Sequence, residues 1–584
     1  MMANKVLMNG SPFHKGFVVL QRLMGDSSNR LLLAYFCLGI LLFPLYQFEI
    51  DPDSISYINI AHLYAIGDFH DAINGFWGTL ISWLLVPFLL VKFQPLFANK
   101  ILTLIISIFT FFAIRKLSYR FAVNDRVRLL ISFAAIPMLL SCALNGGAGA
   151  DLLILCISLY YLYYIFDPDY STKTAYGFII GFLGALLFLS KSYGFYFFIA
   201  HFSLFTVIYF LKSKTHQERR NVLLKYFFGL TVFTIICGIW IYNISNKYHY
   251  FTTSTSGTYN IQTLSLGSKG QPMLYQGLLP LPYPAAVSVW DDPSHLTIEY
   301  EKSPRLFDWI TYQMVHIGEN VVQTLHYFED FSIFSIVIVL ILVIYAIRHF
   351  GTRLRKAEAG IPNPRGRSWR RQLLYNWSQD DRKLNISAYY ALITMLLYTV
   401  GFELLHIEDR FLWLDAILLL LLCAYYLSNN HFDFIRSANL RRVLFYLVFL
   451  SFWLYPVSLL ILHVNQDRDI YITADQLQAA YHLKGNIASN NDEGLINSST
   501  ISWNLTLFYA YFLDSKYYGA AQLNITDEEL QKELGKYHID YYFVWNDTCR
   551  LSKCRKIAEF EVRFLWWQET KHLVVYQIIN NGSS

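Results

Sequence analysis

An Asp-Pro-Asp triplet followed by Ser-Ile-Ser-Tyr spans Asp51 to Tyr57, in the first polar stretch after an apolar run. A helix beginning near Ser54 puts Asp53 at its N-terminal edge, where the helix dipole favours a carboxylate. Tyr57 then lies four residues on, sharing a face with Asp53. By spacing alone Asp53 is either a helix cap or a base able to take a proton from a hydroxyl. Asp51 is the rival base, two residues away and on a different helical face. Other charges stand at the ends of apolar runs. Asp151 follows the small-residue segment Asn145-Gly-Gly-Ala-Gly-Ala, and Arg410 follows His406, Glu408 and Asp409. Lys191 interrupts the 36-residue run Tyr176–Leu211, which is too long for one membrane crossing and right for two joined tightly. A lysine at bilayer centre costs about 2.5–3.5 kcal/mol, so Lys191 marks the turn between them. Each charge alone reads as an interfacial residue or half of an ion pair. As a set, two carboxylates and two cations suit chemistry on a lipid-linked anion, with one carboxylate as base and the cations holding a departing phosphate.

The elements that must bring these charges together are membrane helices. Of 584 residues, 55% are hydrophobic and 15% charged, against about 25% charged in soluble chains. The apolar residues fall in continuous runs near the roughly 20 residues needed to cross a bilayer, and in hydrocarbon such runs must be helical. The runs peak over Leu31–Phe48, Phe76–Phe93, Ile101–Ile114, Leu129–Leu144, Leu152–Phe166, Tyr176–Leu189, Phe195–Leu211, Phe227–Ile244, Phe331–Ile347, Ala388–Leu405, Phe411–Leu427 and Val443–Val464. The first is expected to be an uncleaved span.

The positive-inside rule orients them. Arg353, Arg355, Lys356, Arg365, Arg367, Arg370, Arg371 and Arg382 make the loop 349–386 cytoplasmic, together with Arg115–Arg128, Lys212–Lys225 and Arg436–Arg442. Loops 49–75 and 245–330, the turn at Arg410 and the tail then lie outside, as do Asp151 and Lys191. Twelve peaks break that pattern, because the segment Phe76–Ile114 must cross an odd number of times. Eleven or thirteen spans are expected, with Phe76–Phe93 as the candidate that dips in and returns. Ile55, Ile58, His62 and Ala65 form a stripe suited to lying on the membrane surface.

The first 464 residues thus read as an all-α polytopic membrane bundle, and residues 465–584 as a small soluble α/β domain. In that tail, strand-like runs at Gly485–Ser489, Lys516–Gly519, Tyr541–Trp545 and Leu573–Ile578 alternate with helical patterns at Thr473–Leu483, Thr500–Leu513 and Asp527–Leu534. Cys37, Cys142, Cys156, Cys237 and Cys423 fall in apolar runs, where packing explains them. Cys549 and Cys554 lie in the tail and are either free or paired, with pairing favoured if the tail is exported.

A transporter or flippase of a lipid-linked glycan is one alternative, but it predicts internal symmetry and midplane charges. Neither is evident. A glycan polymerase or ligase of another membrane fold is a second alternative. It would use the large external loop, where Asp291, Asp292 and His295 are the candidates. No nucleic acid partner is expected.

An ordered set of motifs resembles the GT-C superfamily of membrane glycosyltransferases, in the branch of protein O-mannosyltransferases and the lipid A aminoarabinose transferase. The set is Asp53 with Tyr57, then Gly67-Asp68, then Asp71-Ala-Ile-Asn-Gly-Phe-Trp77, then Ala150-Asp151, then Arg410-Phe411. Gly257-Thr-Tyr-Asn260 through Ser288-Val-Trp-Asp-Asp-Pro-Ser294 and the soluble tail are also similar, so the likeness covers most of the membrane region. Two departures touch the donor pocket: Gly78-Thr79-Leu80 replaces a proline-rich segment, and no proline follows Arg410-Phe411. The resemblance implies a GT-C bundle that moves a sugar from a polyprenyl-phosphate donor to an acceptor hydroxyl on a lipid, glycan or protein, with inversion. The reaction would take place at the external (periplasmic) face of the inner membrane. It further implies Asp53 as base, Arg410 and Lys191 on the phosphate, and Asp151 orienting the acceptor or sharing a divalent cation. No other cofactor is implied.

Overall fold

The apolar runs fold as helices, each satisfying its own backbone. The computed structural model describes residues 27–145, 149–301, 305–341, 343–344, 386–428, 437–491, 502–549 and 551–579. Nearly all of the basic loop expected on the cytoplasmic side lies outside the described residues, as do Gly146 to Ala148 of the small-residue segment.

The helices run α1 Ser27–Tyr46, α2 Pro52–Ile66, α3 Phe69–Ala72, α4 Thr79–Leu90, α5 Pro95–Ser118, α6 Asp125–Leu144, α7 Gly149–Ile165, α8 Tyr176–Ser190, α9 Tyr193–Lys212 and α10 His216–Tyr248. They continue with α11 Ser256–Thr263, α12 Leu306–Phe331, α13 Ile386–Glu403, α14 Trp413–Ser428 and α15 Ala438–Leu462. Among the described residues, eight helices are long and apolar enough to cross a membrane. A ninth candidate is α12 with Ser335–Ile341, a pair bent by 110°, and α4, α7 and α8 are shorter apolar helices.

Asp53 and Asp151 both lie within 4 Å of the same guanidinium, Arg410. An even number of crossings must therefore separate them. Helices α5 and α6 are long and apolar enough to supply two, which leaves no crossing for α4. Its 12 residues reach about 18 Å at 1.5 Å per residue, well short of the roughly 30 Å hydrocarbon layer. Without α4, the eight long helices, α7, α8 and the bent pair make eleven apolar segments among the described residues. The apolar peak Phe76–Phe93 contains α4, whose length suits the segment expected to dip in and return.

Small residues set close contacts within the bundle. A Cβ at Gly181 of α8 would lie 2.2 Å from the Gly229 carbonyl of α10. Backbone approach of this kind substitutes for a hydrophobic driving force that lipid does not supply. Large apolar side chains such as Leu41, Phe109, Phe227, Phe228 and Ile239 are exposed on the outside, as a lipid-facing surface requires.

The tail begins with α16 Arg468–Tyr481 and continues β1 Asn486–Ser489, α17 Ser502–Phe512, β2 Lys516–Ala520, α18 Asp527–Lys536, β3 Tyr541–Trp545, β4 Cys554–Val562 and β5 Lys571–Ile578. The sheet order is β2-β1-β3-β5-β4. Strands β2, β1 and β3 are parallel, and β5 and β4 are antiparallel to their neighbours. Period-two alternation splits its two faces. Ile487, Tyr517, Phe543 and Trp545 join a core continuous with the membrane bundle. Ala488, Tyr542, Val544 and Tyr576 pack with Leu530 and Leu534 of α18. Strand β4 was not expected: its CRKIAEFEV sequence carries charges suited to the exposed edge it occupies.

Two smaller expectations are corrected. Ile55 and Ile58 are buried in the protein and do not lie on a membrane surface, because α2 is wedged under the external loop. Cys37 is exposed on α1, whereas Cys142, Cys156, Cys237 and Cys423 are buried.

Candidate active site

Helix α2 starts two residues before the expected Ser54. Asp51 is its N-cap, with Oδ1 accepting from the Ser54 amide at 2.8 Å, and Pro52 takes the first helical position, which tolerates a missing N–H. The capping role therefore belongs to Asp51, and Asp53 is left in the first turn with its carboxylate available. The Arg410 Nη1 group donates to Asp53 Oδ2 at 2.9 Å, and the Trp290 indole Nε1 donates to Asp53 Oδ1 at 3.1 Å. The other oxygen of Asp51 is buried without a partner. Burial, then the neighbouring Asp53 charge, pushes the Asp51 carboxyl up to about 6.

Arg410 is presented by a 3-10 turn, Asp409–Leu412, between α13 and α14. Its Nε donates to Glu408 Oε2 at 2.5 Å, and its Nη1 lies 3.9 Å from Asp151 Oδ2. Burial raises the Glu408 carboxyl, but His406 and the charges of Arg410 and Lys191 outweigh it and hold the group down at about 2. Tyr455 of α15 donates to Asp409 at 2.8 Å and pins the turn from the other side.

Lys191 sits in the tight turn between α8 and α9, where the sequence placed it. Its ammonium donates to Asp151 Oδ1 and lies 4.0 Å from the Phe411 ring centroid, a cation–π contact. The four expected charges thus converge. Their side chains are 19% (Asp53), 6% (Asp151), 24% (Lys191) and 27% (Arg410) exposed, so the cations remain reachable while the carboxylates are largely desolvated. Tyr57, one turn beyond Asp53, packs edge-on against Trp77 with centroids 5.2 Å apart. Burial, then the Asp53 and Asp151 charges, pushes its hydroxyl well above the ordinary tyrosine range.

The remaining candidates, Asp291, Asp292 and His295, are engaged in holding the external loop. Asp291 accepts from Ser56 Oγ (3.2 Å), Asn59 Nδ2 (2.7 Å) and the Val287 amide (2.8 Å). Burial is the main reason its carboxyl rises to about 6. Asp292 accepts from Tyr248 at 2.6 Å, and His295 Nδ1 lies 2.5 Å from the Asp292 carbonyl. The motif residues Asn74 and Trp77 serve the same loop. Asn74 donates to the Asp291 carbonyl at 2.7 Å, and Trp77 Nε1 donates to the Trp290 carbonyl at 3.0 Å.

Four features were not read from the sequence. Trp290 lay inside a motif stretch but was not singled out. A buried pair, Lys100–Glu49 at 3.1 Å, stands behind the loop that leads to Asp53. Lys100 also donates to the Leu144 carbonyl at 2.8 Å. Asp467, beyond the last span, accepts from the Ile50 amide at 3.0 Å. Finally, an apolar groove of about 810 Å³ is bordered by Tyr64, Trp83, Val86, Leu189, Ile236 and Trp240. Leu189 places it two residues from Lys191.

For a divalent cation the fit is poor. Among the described residues no group of three or more His, Cys, Asp or Glu side chains is arranged to hold one. Asp53 and Asp151 already accept from Arg410 and Lys191.

No family model matches the sequence, and no curated protein matches it. Solved structures do. ArnT from Cupriavidus metallidurans, in a crystal structure bound to undecaprenyl phosphate, superposes with a TM-score of 0.50 at 13% identity, over 93% of this chain and 97% of that one. The chain has a GT-C fold. The oligosaccharyltransferase AglB from Archaeoglobus fulgidus, solved with an inhibitory peptide and a dolichol-phosphate, gives 0.45 at 11% identity over 88% of this chain and 69% of that one. The arabinofuranosyltransferase AftD from Mycobacteria gives 0.45 at 11% over 95% and 40%. Within this GT-C fold, the Asp53–Arg410–Asp151–Lys191 cluster lies at the end of the bundle that carries the long loop and the tail.

Proposed function

We propose that the protein is a glycosyltransferase that takes a sugar from a polyprenyl-phosphate donor to an acceptor hydroxyl, at the external face of the inner membrane. The observation that carries this reading is the convergence of Asp53, Asp151, Lys191 and Arg410, drawn from four separate parts of the chain, at one end of a GT-C bundle. The apolar groove bordered by Leu189 supports a lipid-linked donor, because it offers a prenyl chain an apolar bed.

In this reading the acceptor oxygen attacks the anomeric carbon from the face opposite the phosphate. The bond from that carbon to the phosphate oxygen breaks, and the electron pair leaves with the polyprenyl phosphate. The hydroxyl proton passes to Asp53, and configuration inverts. Arg410 and Lys191 exchange their carboxylate partners for the phosphate, which frees Asp53 as a base at the moment the donor arrives. Asp151, released by Lys191, orients the acceptor, whether lipid, glycan or protein.

The test uses purified protein and a panel of polyprenyl-phosphate sugars. Asp53→Asn is expected to lose at least about 100-fold in transfer rate while inserting and melting as wild type. Unimpaired transfer by that variant overturns the assignment of the base.

A further inference from the structure

Asp53 is held by two donors, and only one of them is a cation. The second, the indole N–H of Trp290, comes from the external loop 237 residues away. Around this side chain the loop is fixed at almost every polar atom. The Trp290 carbonyl accepts from Trp77 Nε1 at 3.0 Å, and the Trp290 amide donates to Ser288 Oγ at 3.2 Å. Its immediate neighbour Asp291 is fully buried and takes three donors, two of them from α2 itself, the helix that carries Asp53. The ring is boxed by Phe76 and Trp77, each with centroids 5.6 Å away. Backbone and ring are thus clamped, and the clamp aims the single polar atom of the side chain at one carboxylate oxygen.

We propose that Trp290 is a positioning residue, whose N–H fixes the rotation of the Asp53 carboxylate so that its unused lone pairs face the acceptor hydroxyl. An ionised carboxylate offers about four acceptor sites. Trp290 takes one on Oδ1 and Arg410 one on Oδ2, which leaves a site on each oxygen for an incoming proton. If the donor phosphate draws Arg410 away, Trp290 is the contact that keeps the carboxylate from turning. The external loop then does more than cover the site, because it supplies the second point that defines the base. This rests on the reading of Asp53 as base.

Two substitutions separate the N–H from the bulk of the ring. Trp290→Phe keeps an aromatic ring in the box and removes the donor. Trp290→His removes the benzo ring, and its Nε2 falls where the indole nitrogen stood. With the panel sugar that wild type transfers, assayed at a pH where imidazole is neutral, Trp290→Phe is expected to lower kcat by about 10- to 100-fold with the donor KM within about twofold of wild type. Trp290→His is expected to recover most of that rate, although it melts at a lower temperature. The reverse order, with Phe active and His inactive, shows a packing role only and overturns the proposal. So does an unchanged kcat in Trp290→Phe while Asp53→Asn is inactive, a result that leaves the base assignment standing. An active Asp53→Asn removes the base and this proposal together.

Discussion

The backbone of Gly78 lies so close to Ser190 that a Cβ on the glycine would sit 2.0 Å from the Ser190 carbonyl oxygen. Ser190 directly precedes Lys191, so the entry to α4 is seated against the turn that presents the lysine. This is the position where the expected proline-rich segment is missing, and the contact supplies a steric reason for glycine there. Gly78→Ala must push the two backbones apart, at a cost of about 1–3 kcal/mol for overpacking. A lower melting temperature and a raised KM for the lipid donor are expected together. Unchanged donor KM would mean that the turn tolerates the shift.

Asp51 yields a pH prediction. Its carboxyl titrates near 6 in the folded protein because burial, and then Asp53, disfavour its charge, and it titrates near 3.9 when unfolded. The folded state therefore binds the proton more tightly, so stability is lost as pH rises from about 4 to about 6 and stays lost above. Asp51→Asn keeps a capping oxygen and removes the charge. It is expected to melt higher than wild type at pH 7.5, by up to about 3 kcal/mol, and to match wild type near pH 4. Sugar transfer should persist, since the proposed base is Asp53. Melting curves at the two pH values, with one activity assay, check both parts.

Lys191 and Asp151 form a pair whose stability role separates from its chemical role. Lys191→Met leaves a largely buried carboxylate with only Arg410 nearby, at 3.9 Å. Since the lysine is a quarter exposed, the loss is expected to be about 1–3 kcal/mol, below the full penalty for a broken buried pair. Adding Asp151→Asn should recover most of the melting temperature, and transfer should stay low because the cation proposed to hold the phosphate is still absent. A double variant as active as wild type would remove Lys191 from the phosphate site.

Cys549 and Cys554 stand with their sulfurs 3.3 Å apart as free thiols. If the tail faces an oxidising exterior, protein alkylated without reductant and analysed by mass should show this pair protected and the other described cysteines modified once unfolded. Closing so short a loop is worth about 2 kcal/mol, so Cys549→Ser together with Cys554→Ser should lower the melting temperature by a few degrees. Full alkylation of both thiols in freshly isolated protein would count against pairing.

What the sequence disclosed is what a one-dimensional pattern can encode. Run lengths and basic loops determine which span ends share a side, so Asp151, Lys191 and Arg410 could be grouped with Asp53 before any contact was known. Period-two and helical patterns likewise located four of the tail's five strands. Contacts made at long range were invisible. Nothing local marks Trp290 as a partner of Asp53, or Asp467 as a partner of Ile50, because each contact depends on where a loop or terminus docks. Asp291 and Asp292 looked like chemistry because acidic pairs in large loops often are, but their burial and saturated hydrogen bonds are features of anchoring. The α2 stripe was misplaced for a related reason. Helical periodicity shows that Ile55 and Ile58 share a face, but not whether lipid or protein covers it.

The hydrogen bond from the Ile50 amide to Asp467 has a consequence for biogenesis. The loop bearing Asp53 leaves the ribosome well before the residue that braces it, which emerges more than 400 positions later. A nascent chain therefore carries this acidic segment unbraced while the helices between the two residues are inserted, and the segment is locked only after α15 has been placed.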